Sequence, residues 1–219
     1  MEHIAAVFSL SLLSWLLGPD LPDTCPAVAS EVSAYSVSRG YKIDRSLGRV
    51  ELGRLMGEQA LPGFHMQGLT DITYATSPRY VILTQKLSDG RWCAGLQKVS
   101  VEFGLGEPAM VRIAREIPEE SCRYASVLAH EMRHVGISAR AVSEGAGELR
   151  SALEKTVGSS SPFYGESEEA ASAGLKASLQ DTIDKVTRLH IARAEMENAA
   201  IDTRHSYELL SAECPGSPD

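Results

Sequence analysis

The chain has 219 residues, 43% hydrophobic and 23% charged, an ordinary globular composition that excludes a wholly disordered protein and suffices for one core. Lys and Arg total 21 against 29 Asp and Glu, and this net charge of -8, with no run of basic residues, excludes nucleic acid as the expected partner.

From the N-terminus, residues 4–17 (IAAVFSLSLLSWLL) form an apolar stretch too short to span a bilayer comfortably, with the length of a signal-peptide hydrophobic region. The expected organisation is a signal peptide and leader over residues 1–25, then a single domain over 26–219, with no stable membrane span after processing. The four cysteines, Cys25, Cys93, Cys122 and Cys214, contain no CxxC pair. An even number in an exported chain predicts two disulfides in one of three pairings, Cys214 being placed to tie the tail to the core. The expected location is periplasmic or secreted.

Residues 31–39 suit an extended segment. Asp44 can cap a helix running to about Met56, with Leu47, Val50, Leu52 and Leu55 as its apolar positions. Residues 57–68, with Pro62, Gly63 and Gly68, read as loop. Strands are expected at Tyr80 to Thr84, Val99 to Phe103 and Met110 to Ile113, with an Asp89-Gly90 turn between the first two. Pro118, Glu119, Glu120 and Ser121 mark the start of a helix that reaches the glycines at 144–147 or continues to about Thr156. Residues 158–162 break the pattern. A second long helix is expected over about 166–200, with Leu175, Leu179, Ile183 and Val186 as its core stripe. The fold class is α+β, a small antiparallel sheet packed against two long helices.

Within the first long helix lies His130-Glu131-Met132-Arg133-His134, an HExxH sequence. Four residues is close to one helical turn, so both imidazoles face the same side and can ligate one zinc ion. Zinc would acidify a water molecule, and Glu131 would take the proton as that water attacks a carbonyl. The plain alternative is a partly buried histidine pair with Glu131 and Arg133 as solubilising charges.

The set needs a third ligand. A compact three-histidine motif is excluded, because Ile137 and Arg140 stand where it requires Gly and His. On a continuing helix Glu144 and Glu148 lie more than two turns beyond His134, out of reach at 1.5 Å per residue. If the two long helices pair about residue 161, His130 and His134 lie opposite Ala192 and Arg188. His190 then falls close to the site and is the expected third ligand, with Glu168, Glu169, Asp184, Glu195 and Glu197 as competitors. Near the C-terminus Asp202, His205, Tyr207 and Glu208 form a weaker group. Asp202 suits a helix cap, and a buried Asp or a Tyr donor here can also orient a ligand histidine or stabilise an oxyanion.

Four stretches, Tyr35-Ser36-Val37, Gly68-Leu69-Thr70, Cys93 before a strand, and SCRYASVLAHEMRHV from Ser121 to Val135, resemble a group of poorly characterised bacterial proteins described as secreted zinc-dependent protease-like domains. The resemblance covers about residues 31–214. It implies a zincin-like fold, His130 and His134 as metal ligands and Glu131 as the catalytic residue. Arg133 and Gly136 depart from the residues usual in zinc peptidase helices. The expectation is a zinc-dependent endopeptidase acting on peptide or protein substrates, and the competing expectation is a zincin-like envelope protein that binds metal or a partner without hydrolysis.

Overall fold

A computed structural model describes residues 21–57 and 66–215. The apolar stretch 4–17 and most of the expected loop 57–68 lie outside the described residues. In chain order the elements are β1 (Glu31–Val37), β2 (Tyr41–Asp44), α1 (Arg49–Met56), β3 (Gly68–Asp71), β4 (Tyr74–Lys86), β5 (Trp92–Leu105), β6 (Ala109–Ile113), α2 (Cys122–Ser159), β7 (Phe163–Gly165), α3 (Glu168–Ile201) and α4 (Arg204–Glu213). The fold is α+β.

The strands form two sheets. In the larger, β5 is central, antiparallel to β4 on one side, with β1 parallel and β7 antiparallel on the other. In the smaller, β6 is central between parallel β2 and antiparallel β3. The sheets are therefore mixed rather than wholly antiparallel. The long connections from β1 to β5 and from β2 to β6 permit parallel pairing, which a tight hairpin does not. The β4–β5 hairpin turns at Asp89-Gly90, where Asp89 Oδ1 accepts from the Arg91 amide at 2.9 Å and Gly90 adopts φ 87°, a conformation that favours glycine.

Asp44 does not cap α1. It ends β2 and accepts the Ser46 amide at 2.8 Å, while the helix begins after Gly48, whose N–H donates to Glu51 Oε2 at 2.5 Å. The first long helix begins as expected at Ser121, whose Oγ accepts from the Tyr124 amide. It runs unbroken for 38 residues, through Gly136, Gly145 and Gly147.

Val99, Val101, Phe103 and Leu105 alternate along β5, and their shared face packs against Val142, Leu149 and Leu153 of α2 and Leu175, Leu179 and Ile183 of α3. Full burial of each large side chain stabilises the fold by about 1.5–3 kcal/mol. A second cluster joins Leu52 of α1 and Ile113 of β6 to Val127 near the start of α2. The N-terminal third of α2 thus packs on the small sheet and the remainder on the large one, so the HExxH turn falls where the two packing regions meet. Gly145 makes the closest approach. A Cβ there would lie 2.6 Å from the Phe103 ring, so only glycine lets α2 lie this near β5.

Disulfides join Cys25 to Cys93 and Cys122 to Cys214. The second ties the end of α4 to the first residue of α2. No described helix is long and apolar enough to cross a membrane.

Candidate metal centre

On α2 the buried positions recur at helical spacing, Val127, His130, Glu131, His134, Ile137 and Ser138 among them, so the two histidines and Glu131 face the interior. His130, Glu131 and His134 are 3%, 4% and 8% exposed. Burial of three ionisable side chains on one turn demands partners, and the structure supplies them.

The partner of both imidazoles is Asp202, which ends α3. Its Oδ1 lies 3.0 Å from His130 Nε2 and 3.2 Å from His134 Nε2. Tyr207, one turn into α4, donates its hydroxyl hydrogen to the same oxygen at 3.1 Å. Burial alone would raise the Asp202 carboxyl, but the hydrogen bonds from His130 and His134 outweigh it and hold the group well below the usual carboxylate range. Tyr207 moves the other way, its phenol pushed up by burial and by the negative charge of Asp202, so it remains a donor.

His134 carries a further constraint. Its Nδ1 lies 3.0 Å from Asn198 Oδ1, an acceptor, which assigns the ring hydrogen to Nδ1 and leaves the Nε2 lone pair facing the Asp202 carboxylate. Two acceptors at 3.2 Å repel unless a proton or a cation stands between them. Without an ion, a proton on His134 Nε2 meets that demand. Burial disfavours its cation, yet the bonds to Asp202 and Asn198 prevail and raise its pKa.

A metal ion meets the same demand. Among the described residues, His130, His134 and Asp202 offer ligand atoms that all lie within 4.8 Å of one another. A tetrahedral ion with ligand bonds of about 2.0–2.1 Å separates its ligands by roughly 3.3 Å, close to the 3.0 and 3.2 Å from Asp202 Oδ1 to the two imidazoles, so the donor set suits a small divalent cation.

Glu131 lies beside this group. Its Oε2 accepts from Thr70 Oγ1 at 2.8 Å, and its Oε1 occupies the space that a side chain at Gly68 would fill. Burial pushes its carboxyl up, against the Thr70 hydrogen bond and the two imidazoles. A cleft of about 420 Å³ opens on these residues, lined by β3 and Met66 and by Glu195, Asn198 and Asp202 of the α3 end. Among the described residues β3 pairs only with β6, so its second edge is unpaired.

The expected third ligand, His190, is elsewhere. Its Nε2 lies 2.8 Å from Glu148 Oε2 and its ring faces Gly145, about three helical turns along α2 from His134. The helices pair about residue 169 rather than 161, with Thr156 against Thr182 and Arg140 against Glu197, because β7 and its flanking residues lengthen the connection. Of the other candidate ligands, Glu168 accepts from Thr84, Asp184 from Gln180, and Glu144 and Glu169 are exposed. Glu195 reaches the cleft without joining the ligand group. Asp202 is not a capping side chain either. Thr203 caps α4 by accepting the Ser206 amide, while His205 and Glu208 are exposed.

No protein-family model, curated protein or solved structure matches the chain.

Proposed function

We propose that the protein is a zinc-dependent hydrolase, an endopeptidase working outside the cytoplasm. The carrying observation is the convergence of His130 Nε2, His134 Nε2 and Asp202 Oδ1 at one cleft, with the Glu131 carboxyl beside them. Two imidazoles and one carboxylate leave a tetrahedral ion one open position, as catalytic rather than structural zinc requires. Bound zinc supplies Lewis acidity, polarising a carbonyl oxygen and acidifying water.

The chain's own residues do the rest. Glu131, with its proton affinity raised by burial, takes a proton from water at one carboxylate oxygen and passes it to the departing amine. Thr70 holds Oε2, and the missing side chain at Gly68 leaves room for Oε1. Tyr207, protonated at all moderate pH, holds Asp202 against the two histidines. The edge of β3 that no other described strand covers, with β3 lining the cleft, suits an extended peptide, which can add to it as a further strand. Two disulfides and the signal-like stretch at 4–17 support an oxidising compartment, periplasmic or secreted.

Metal analysis of protein purified without added metal or chelator tests the reading. The expected result is about one zinc per wild-type chain and far less in His130→Ala and Asp202→Ala. Glu131→Gln should keep the zinc and lose about 100-fold or more of peptide hydrolysis. A folded wild type that holds no zinc even after zinc is added back overturns the proposal. Zinc binding with no hydrolysis of any peptide favours a metal-binding envelope protein.

A further inference from the structure

We infer that the cleft selects peptides carrying a lysine or arginine side chain within a few residues of the bond to be cut, and that Glu195 is the group that reads it. The inference rests on the peptidase reading above and adds its substrate class. Four carboxyl groups, Asp71, Glu131, Glu195 and Asp202, line the cleft, and no Lys or Arg does so among the described residues. Besides the zinc itself, a site that bound a substrate's terminal carboxylate, or an acidic side chain, would need a second cation, and no described Lys or Arg supplies one. Cleavage within a chain, beside a positive side chain, fits the charges present.

Three of the four carboxyls are already engaged. Glu131 accepts from Thr70, Asp202 is held by both histidines and Tyr207, and Asp71 pairs with Arg112 at 3.5 Å. Glu195 has no hydrogen bond or ion pair among the described residues, and its side chain is exposed at the cleft wall. It stands on the same face of α3 as Asn198 and Asp202, three and seven residues earlier, and so about 10 Å along the helix from Asp202. That is the length of about three extended residues, within reach of a lysine near the scissile bond. The charge of Glu195 is felt inside the cleft, where, after burial, it helps push the Tyr74 phenol up. Met56, Met66, Leu69 and Ile72 also line the cleft, and such apolar side chains suit the methylene stem of a long basic side chain.

The test uses the full chain carrying Glu131→Gln, loaded with zinc, and fluorescent peptides identical except for Lys, Ala or Glu near the centre. Anisotropy should rank Lys above Ala above Glu, with about tenfold between the extremes at low salt and less at high salt. Adding Glu195→Gln should collapse the ranking, and adding Glu195→Lys should invert it, with zinc content unchanged in both. Wild-type cleavage rates should follow the same order. Equal cutting of neutral and basic peptides, with both Glu195 variants behaving as the parent, overturns this inference and leaves the peptidase reading standing. Binding in the expected order with no cleavage by wild type overturns the peptidase reading and leaves Glu195 as the binding determinant.

Discussion

Asn198 decides which nitrogen of His134 carries hydrogen, and so which lone pair faces Asp202. Removing such an outer partner typically costs 10- to 100-fold in metal affinity. Asn198→Ala should weaken zinc binding by about that factor in a chelator competition. Asn198→Asp, which still accepts from Nδ1, should recover it. Gly68 separates binding from chemistry, since its missing Cβ makes room for Glu131 Oε1 rather than for a metal ligand. On the proposed reading, Gly68→Ala should therefore keep about one zinc per chain while hydrolysis falls by about tenfold or more, because it displaces the proposed proton acceptor. Equal loss of zinc and activity would sink that argument. At this scale the HExxH turn was legible, because its spacing alone puts both imidazoles on one face. Asp202 was not. It enters from the far end of α3, 68 residues after His134 by position, and its place depends on a helix pairing that spacing does not fix. The signal available was the short run of Asp202 and Tyr207 ahead of Cys214.

Glycines within α2 have unequal roles, which explains why the helix passes through them. Gly145 is in contact with Phe103 and His190, whereas Gly147 faces open space. Gly145→Ala should destabilise the fold by about 1–3 kcal/mol through overpacking, partly offset by better helix propensity. Gly147→Ala lacks the clash and should stabilise by up to about 1 kcal/mol. Paired urea denaturation curves check both, and a stabilised Gly145→Ala would contradict the close approach of α2 to β5. Both long helices were readable from their apolar period, and the cores of β4, β5 and β6 from β-branched runs. The elements that shape the cleft were harder. Four-residue β3 begins at a glycine and exists because β6 pairs with it, and three-residue β7 lies in a stretch of Ser, Pro and Gly, held by pairing with β5 and by packing on α3. Local sequence gives such strands little preference of their own.

Across the whole molecule, the two disulfides divide stability from site assembly. Cys122–Cys214 closes a loop of 92 residues around the α2–α3 hairpin and pins α4, helped by Arg123, which donates to the Leu210 and Ser211 carbonyls. Cys25–Cys93 closes a loop of 68 residues and fixes the N-terminal segment to the start of β5. By strand length Cys93 lies about 40 Å from Leu105, the β5 residue paired with Tyr74 at the cleft. Chain entropy gives each link about 4–5 kcal/mol, or a melting shift of about 10 °C in a chain of this size. Both double serine variants should therefore melt at lower temperature by similar amounts. Only one should disturb zinc. Without Cys122–Cys214 the segment bearing Asp202 and Tyr207 loses its covalent tie to the helix bearing His130 and His134, so zinc affinity measured on folded protein should drop. Without Cys25–Cys93 it should stay within about twofold, since that link touches no ligand. Zinc binding should also weaken on acidification from neutral pH, because protons compete with the metal for His134, whose pKa the Asp202 and Asn198 bonds raise against burial, and a calorimetric series should show proton release on binding. Equal zinc affinity in the two disulfide variants would mean that α3 alone holds Asp202 in place, and that α4 contributes stability without helping to build the site.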